Sequence, residues 1–328
     1  MIVTLTANPS LDRTVALPGP LLRGEVQRAI SVRQESGGKG VNVSRALVAS
    51  GLQTLAVLPG AAADPVLAGL RDSEVPFAAL PIGEPLRSNV ALTEPGGVTT
   101  KINEPGPALS GEQQEALIGL LLDRSRGASW VVLAGSLPPG VPAAFYATVT
   151  RRLRSLEHGN EAPLIAVDSS GEPLAAAISG DALGKPDLLK PNAEELAELA
   201  AAAGFATDKS AEELEGDPEA AAAAAAAVVR SGVGAVLATL GSKGAVLVTA
   251  DGAWLATHPP VKAVSTVGAG DSSLAGYLLA SSQGAAPADC LRQAVAHGAA
   301  AASLPGSTVP AVHQTTPNAV TITALKKD

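Results

Sequence analysis

Short runs of β-branched and aliphatic residues alternate along this chain with longer windows rich in alanine and leucine. The short runs predict buried strands, and the longer windows predict helices. Alternation of this kind is typical of βαβ units, so the sequence predicts an α/β fold with a mainly parallel sheet. The predicted strands are residues 3–6, 54–58, 130–133, 164–167 and 235–239. The predicted helices are residues 41–51, 111–126, 142–156, 192–203, 218–231, 269–282 and 288–303.

Two stretches, residues 11–30 and 87–103, break this alternation. Each predicts short strands joined by turns rich in proline and glycine, with no helix between them. We expect them to form a small second sheet that covers the α/β core as a lid. The alternative is that they are edge strands of the main sheet. The alanine-rich part of residues 208–227 predicts a surface helix of unknown role.

The composition supports a sizeable core, since 46% of the residues are hydrophobic and 16% are charged. Aromatic residues make up only 2%, which argues against base stacking on an aromatic platform. The formal charge of −8 argues against nucleic acid or an anionic membrane as the main partner, but a pocket can still be locally basic. A single cysteine, Cys290, excludes an intrachain disulfide framework.

The first residues predict a strand and not a signal peptide, because they lack a basic segment and become polar within ten positions. The longest apolar stretch, residues 220–229, is too short to span a bilayer. We therefore expect a soluble cytoplasmic protein.

The strongest candidate site is residues 265–276, where a Gly-x-Gly turn opens a predicted helix. Several unpaired backbone N–H groups then point forward at the positive end of the helix dipole, which favours an anion. Asp271 lies in the first turn behind these amides. With a phosphoryl group on the amides, its carboxylate could take a proton from an attacking hydroxyl. The alternative is that Asp271 merely caps the helix.

A second candidate is residues 35–42, whose three glycines permit close backbone approach beside the positive charge of Lys39. The alternative is a tight turn before a helix. A third is residues 189–195, where Asn192 and Glu195 have the spacing of a capping box. Their amide and carboxylate could instead organise a hydrated Mg²⁺. A fourth, residues 239–244, follows a strand and predicts either a phosphate-facing loop or a hairpin turn.

Several other chemistries are excluded by spacing. The chain has no P-loop, and Ser273 stands where a dinucleotide fingerprint needs its third glycine. The spacing Ser36-x-x-Lys39 lacks the companion motifs of a serine acylase. No metal-ligand spacing relates the histidines, which are His158, His258, His297 and His313.

The candidate segments resemble the motifs of the PfkB family of ribokinase-like kinases, in the same order and at roughly the same spacing. The resemblance covers nearly the whole chain and is carried by residues 8–12, 37–40, 135–140, 167–171, 190–195 and 266–271. Within the family the chain is most similar to the hexose-phosphate branch, and to 1-phosphofructokinases above all. Asn8-Pro-Ser-Leu-Asp-Arg13 and Lys101-Ile-Asn-Glu-Pro-Gly106 indicate this branch.

This resemblance implies a single domain over residues 1–328, with a three-layer α/β/α core and a small β-sheet lid. It also implies a role for each matching residue. Asp12 and Asn42 would hydrogen-bond sugar hydroxyls. The sugar site would be lined by Gly37, Gly38 and Lys39. The phosphate of the substrate would meet Arg87 and Lys101, since a guanidinium offers it paired donors.

The remaining implied roles concern ATP. The nucleotide would be bordered by Lys190, Asn192, Thr239, Gly241 and Gly244. Magnesium would be organised by Asn192 and Glu195, mainly through water. The anion hole would be formed by Gly268, Ala269 and Gly270, with Asp271 as the base. Some relatives carry an asparagine beside the adenine where this chain has Pro305, so that contact is not carried over.

The implied reaction is transfer of a phosphoryl group from ATP to fructose 1-phosphate, which gives fructose 1,6-bisphosphate. Tagatose 6-phosphate and fructose 6-phosphate are alternative acceptors. A sugar-phosphate sensor without catalysis is an alternative from a different class. The resemblance also implies a homodimer formed through the lid, because short lid strands have edges that need covering.

Overall fold

The computed structural model describes residues 1–156, 162–205 and 208–326. Within these ranges the strands are β1 (Ile2–Leu5), β2 (Ser10–Ala16), β3 (Ser31–Gly37), β4 (Thr54–Pro59), β5 (Phe77–Leu80), β6 (Arg87–Thr93), β7 (Thr99–Asn103), β8 (Trp130–Ala134), β9 (Leu164–Asp168), β10 (Leu188–Leu189), β11 (Ala235–Thr239), β12 (Ala245–Thr249), β13 (Ala253–Thr257) and β14 (Thr321–Leu325). The α-helices are α1 (Lys39–Ala49), α2 (Pro65–Asp72), α3 (Gly111–Arg124), α4 (Phe145–Arg154), α5 (Gly171–Ala177), α6 (Ala193–Ala202), α7 (Ala211–Gly216), α8 (Pro218–Arg230), α9 (Ala269–Ser282) and α10 (Pro287–Ala302).

The main sheet has ten strands in the order β14-β13-β12-β11-β10-β9-β8-β1-β4-β5. Neighbouring strands from β5 to β11 run parallel, which confirms the predicted mainly parallel sheet. At the other edge β12, β13 and β14 add in antiparallel fashion. The sequence pattern did not predict this extension. It also did not predict five short elements, which are β5, β10, α2, α5 and α7.

Helices cover both faces of the main sheet, as successive strand residues show. In β1, Ile2 belongs to a buried cluster with α1, α9 and α10. The next residue, Val3, belongs to a second cluster with α3, α4, α6 and α8. Side chains of a strand alternate between its faces, so the core has two apolar layers, one on each face. The three-layer α/β/α prediction is confirmed.

The alanine-rich helix α8 is not the surface helix that its low complexity predicts. Ala221, Ala224, Ala225 and Val228 are fully buried against the sheet. Alanine has little volume, so these positions let the helix lie close to its neighbours. Composition alone could not distinguish this packed helix from a solvated one.

The second sheet has four strands in the order β3-β2-β6-β7 and is separate from the main sheet, so the edge-strand alternative is wrong. The predicted range 87–103 matches β6 and β7. The predicted range 11–30 needs correction, because the partner of β2 is β3 at Ser31–Gly37 and residues 17–30 contain no strand. Residues 31–36 are mostly polar, so strand pairing and not local hydrophobic pattern places β3.

The connections between the two sheets place the small sheet at one edge of the main sheet. Strand β2 begins five residues after β1 ends, and β3 leads directly into α1. The small sheet therefore lies at the carboxyl edge of the main sheet, where ligands bind in open α/β sheets.

Of the four histidines in the sequence, His158 lies outside the described residues. None of the helices within the described ranges is long and apolar enough to cross a membrane.

Candidate active site

Polar residues collect where the central parallel strands end. Asp168 is the last residue of β9, and Lys190 follows β10 directly. Asn192 forms an isolated bridge with Thr239, the last residue of β11. Because the carboxyl ends of parallel strands meet at one edge, the fold brings the third and fourth sequence candidates together there.

The start of α9 has the uncapped backbone amides that favour an anion. Gly268 precedes the helix with φ of 76°, a left-handed conformation that glycine adopts without strain, and no side chain caps the helix. The first-turn amides therefore have no acceptor within the helix. Lys190 lies beside them, since a Cβ atom on Gly270 would be 3.2 Å from Lys190 Nζ. A lysine and a helix N-terminus thus present positive charge to the same place.

Asp271 lies in the first turn of α9 and is 9% exposed. It does not cap the helix, so the capping alternative is wrong. Its Oδ2 accepts a hydrogen bond of 2.8 Å from Asn42 Nδ2. Burial, and then the negative charge of Asp168, raise the pKa of Asp271 to about 6, against the opposing effects of Asn42, Lys190 and Lys39. The carboxylate is ionised above that pH and can accept a proton at neutral pH.

Asp168 is fully buried and joins two lysines. Its Oδ1 lies 2.6 Å from Lys39 Nζ, and its Oδ2 lies 3.1 Å from Lys190 Nζ. Burial alone would raise the pKa of Asp168, but the two lysines hold it below its ordinary value. Asp168 lies within the sequence motif at residues 167–171, which by itself predicted no role for it. An aspartate that ends a buried strand was the signal that could have found it.

Asn192 and Glu195 form the predicted capping box at the start of α6. Asn192 Oδ1 accepts from the Glu195 amide at 2.8 Å, and Glu195 Oε2 accepts from the Asn192 amide at 2.9 Å. The other carboxylate oxygen, Glu195 Oε1, lies 3.7 Å from Lys39 Nζ. The described ranges contain no group of three or more His, Cys, Asp or Glu residues that could hold a metal. Mg²⁺ commonly keeps several waters and binds through one or two carboxylates together with substrate phosphates, and Glu195 Oε1 is the carboxylate oxygen here that lies outside the capping box.

The glycine-rich turn between β3 and α1 lies against Asp12. A side chain on Gly37 would overlap the Asp12 carboxylate, so a larger residue there would displace Asp12. Gly38 has φ of 109° and precedes α1, which confirms that these glycines also make the tight turn before a helix. Asp12 Oδ1 accepts from Ser10 Oγ at 2.7 Å and from Asn89 Nδ2 at 3.0 Å. Burial raises the pKa of Asp12, partly offset by these hydrogen bonds.

The strand register places the predicted sugar-phosphate residues on one face of the small sheet. Asp12 pairs with Asn89, Arg87 lies two positions before Asn89, and Lys101 pairs with Ala91, two positions after it. Residues two apart share a face, so Arg87 and Lys101 lie on opposite sides of Asp12. A cavity of about 210 Å³ lies beside this sheet and the facing loop, and Arg87 is not one of its lining residues. The lining includes Asp12, Asn89, Lys101, Asn103, Val267 and Ser307.

Arg87 and Lys101 differ in their surroundings. Arg87 donates from Nη1 to the Glu104 carbonyl at 3.2 Å and from Nη2 to Ser136 Oγ at 3.4 Å. Its Nε is buried and has no hydrogen-bond partner among the residues that the structure describes. Lys101 is exposed at the cavity rim. Arg87 is thus held between the small sheet and the loop after β8. Lys101 does not contact Arg87.

A larger cavity of about 510 Å³ opens on the other side of α9. Its lining includes all three predicted nucleotide-loop residues and the first residues of α9: Thr239, Gly241, Gly244, Ala269 and Gly270. The loop is the turn of the β11–β12 hairpin, which confirms the hairpin interpretation, and the phosphate-facing role stays a prediction. A side chain on Gly244 would overlap the Ala256 carbonyl. Glu215 of α7 borders the same loop, because its Oε2 would be 3.1 Å from a Cβ on Gly241.

Comparison with known proteins bears on the family and the fold of this chain. The profile of the family described as pfkB family carbohydrate kinase matches residues 6–314. The chain is 33% identical over 309 residues to the ATP-dependent 6-phosphofructokinase isozyme 2 of Mycobacterium tuberculosis, covering 93% of this chain and 85% of that protein. It is also 33% identical over 281 residues to the 1-phosphofructokinase of Xanthomonas campestris, covering 85% and 83%. The crystal structure of phosphofructokinase-2 from Escherichia coli in complex with substrates and products has a TM-score of 0.82 at 31% identity, covering 95% and 96%.

Proposed function

Because the chain belongs to the pfkB family of carbohydrate kinases, we propose that it transfers the terminal phosphoryl group of ATP to a hydroxyl of fructose 1-phosphate. Membership makes it a phosphotransferase with an alcohol group as acceptor. The observation that carries the proposal is the position of Asp271 in the first turn of α9, directly behind Ala269 and Gly270, which line the larger cavity.

Each cavity has a proposed occupant. ATP binds in the larger cavity, with its phosphates directed at the start of α9 and at Lys190. The sugar phosphate binds under the small sheet, with its hydroxyls on Asp12 and Asn42 and the backbone of Gly37 and Gly38 beside it. The small sheet then acts as a lid that excludes water when both substrates are bound.

The proposed transfer needs one proton acceptor and much positive charge. The acceptor hydroxyl oxygen forms a bond to the terminal phosphorus, the bond from that phosphorus to the departing ADP oxygen breaks, and the hydroxyl proton passes to Asp271. The amides of Ala269 and Gly270, with Lys190, stabilise the charge on the transferring group. Lys39 holds Asp168 and Glu195 in place beside them.

A hydrated Mg²⁺ fits near Asn192 and Glu195, within reach of the nucleotide phosphates. When bound, it would neutralise part of the phosphate charge. Glu195 has one oxygen outside the capping box, Oε1, and it already lies 3.7 Å from Lys39 Nζ, which supports binding through water and not a direct protein cage.

The identity of the acceptor is the finer part of the proposal. Relatives named for 6-phosphofructokinase and for 1-phosphofructokinase activity are equally similar to this chain, at 33% identity. Each of these substrates carries its phosphate at one end and accepts at the other, so a base at Asp271 and a cation at Arg87 would serve both. Fructose 1-phosphate remains the first choice from the branch motifs, with fructose 6-phosphate and tagatose 6-phosphate as alternatives.

A coupled assay of ADP release with a panel of sugar phosphates tests this assignment. We expect the highest kcat/KM with fructose 1-phosphate. A higher value with fructose 6-phosphate or tagatose 6-phosphate would replace the acceptor and keep the mechanism. Binding of sugar phosphates without ADP release would contradict the kinase and favour a sensor.

Arg87→Ala is expected to raise KM for the sugar phosphate about 10- to 100-fold, because a charge-assisted hydrogen bond contributes about 1.5–3 kcal/mol. KM for ATP should change little, since the nucleotide lies on the other side of α9. Steady-state kinetics with each substrate varied in turn measure both values. Lys101→Ala is expected to have the smaller effect because Lys101 is exposed, and Arg126→Ala is the exposed control. An unchanged sugar-phosphate KM in Arg87→Ala would remove Arg87 from the phosphate site.

The outer face of the small sheet is proposed to pair with a second copy of the chain. This face carries Val15, paired with Val32, and Val90, paired with Ile102. Val32 and Ile102 are 51% and 56% exposed. Burying such a face favours association. Analytical ultracentrifugation should show a dimer, which Val32→Asp with Ile102→Asp should dissociate and Leu183→Asp, an exposed control, should not. A monomeric unmodified chain would contradict the dimer.

A further inference from the structure

We propose that Arg45 is a positioning residue of the transfer, which holds the amide of Asn42 in the one orientation that donates to Asp271. This inference rests on the proposed function, because it concerns the same base. Arg45 lies three residues after Asn42 on α1, so the two side chains share one face of the helix. No sequence motif predicted a role for Arg45.

The guanidinium of Arg45 is held from several directions. Its side chain is 14% exposed, and Nη2 lies 3.4 Å from Glu35 Oε1. Its Nη1 lies 3.4 Å from the Ser36 carbonyl, 3.3 Å from the Ser307 carbonyl and 3.3 Å from Asn42 Oδ1. These partners belong to β3, to the loop after α10 and to α1. A side chain fixed at so many points has little freedom to release the Asn42 amide.

The other anchor of this cluster is the contact between Glu35 and Ser307. Glu35 Oε2 accepts a hydrogen bond of 2.6 Å from Ser307 Oγ. Ser307 lines the smaller cavity. Its Cα would be 4.0 Å from a Cβ atom placed on Gly268. The Arg45 cluster therefore connects the small sheet with the loop that faces the anion hole.

The chemistry of the three side chains fixes the amide. A guanidinium only donates hydrogen bonds, and an ionised carboxylate only accepts them. With Asn42 Oδ1 toward Arg45, the Asn42 NH₂ group faces Asp271 and both contacts are satisfied. Turning the amide by half a turn would place two donors together at Arg45 and two acceptors together at Asp271. Arg45 therefore excludes the orientation in which Asp271 loses its donor.

Loss of Arg45 should change the proton affinity of the base. The charged groups that face Asp271 are Asp168 at the end of β9, Lys190 after β10 and Lys39 on α1, with Asn42 as the neutral donor. Of these, only the Asn42 contact depends directly on Arg45. Without a fixed donor the protonated form of Asp271 is favoured, so activity should be lost at a higher pH as the pH falls.

The test is the pH profile of kcat at saturating ATP and sugar phosphate for the full-length chain. For Arg45→Met we expect kcat at neutral pH to fall about 10-fold or more. The midpoint of the acid limb should move upward from that of the unmodified chain. The second ionisation of the sugar phosphate is the same in every variant, so only differences between variants are compared. Arg126→Met is the matched exposed control and should leave the midpoint in place.

A double-mutant cycle separates this role from a structural one. In an Asn42→Ala background, Arg45→Met should produce no further shift of the midpoint, because the amide through which Arg45 acts is gone. An unmoved midpoint in Arg45→Met, or an equal shift in the Asn42→Ala background, would overturn the inference. If Arg45→Met does not fold, Arg45→Gln, which keeps a polar side chain, takes its place, and the same shifts of the midpoint are compared. Absence of ADP release from the unmodified chain would instead contradict the proposed function.

Discussion

Asp271→Asn is expected to lower kcat by about 10²- to 10⁴-fold, the range that a positioned general base contributes. The replacement has the same shape, and its amide oxygen can still accept from Asn42 Nδ2. A carboxamide cannot take up the hydroxyl proton at neutral pH, so the chemical step loses its acceptor. The amides of α9 and Lys190 remain, and ATP affinity should therefore stay nearly unchanged.

Three measurements separate this outcome from loss of the fold. Turnover is measured at saturating substrates, ATP affinity by calorimetry and stability by thermal unfolding. Asp251→Asn, an exposed aspartate in the β12–β13 turn, is the control and should keep normal turnover. Near-normal turnover in Asp271→Asn would remove Asp271 from the role of base.

Asp168→Asn is expected to destabilise the protein by about 3–5 kcal/mol, the cost of removing one partner from a buried ion pair. Asp168 is fully buried and Lys190 is 4% exposed, so the lysine would lose its counter-charge in a site with little water. Lys39 would lose its closer carboxylate and keep Glu195 at 3.7 Å. Urea unfolding followed by circular dichroism measures the change in free energy of unfolding.

A second substitution tests whether the unpaired lysine is the cause. Asp168→Asn combined with Lys190→Met should be more stable than Asp168→Asn alone, because the uncompensated charge is gone. Equal instability of the two variants would attribute the loss to other contacts of Asp168. In Asp168→Asn the negative neighbour of Asp271 is also absent, so the acid limb of kcat should move to lower pH, in the direction opposite to Arg45→Met.

The sequence predicted those parts of the site that are built within one short segment. The start of α9 and the capping box of α6 each depend on residues within a few positions of one another, and both are confirmed. The sequence did not predict a role for Asp168 or Arg45, because the residues that contact their side chains are distant in sequence. Lys39 lies 129 positions from Asp168, and Ser307 lies 262 positions from Arg45. Only the assembled sheet brings these groups together.

The same distinction explains the fold. Strands with a continuous apolar pattern, such as β8, were predicted within a residue of their bounds. Strand β3 carries a polar sequence and is placed by pairing with β2, which local pattern does not report. The helix α8 was expected on the surface because alanine packs equally well in either setting. The roles of all the candidate site residues toward ligands stay predictions.

The most direct test of the proposed function follows the phosphoryl group itself. Phosphorus NMR of the unmodified chain with ATP, Mg²⁺ and fructose 1-phosphate should show fructose 1,6-bisphosphate and ADP appearing in equal amounts. The same mixture with Asp271→Asn should show neither product over the same reaction time. Formation of ADP and inorganic phosphate without bisphosphate, or no consumption of ATP with any of the three ketohexose phosphates, would contradict the proposal.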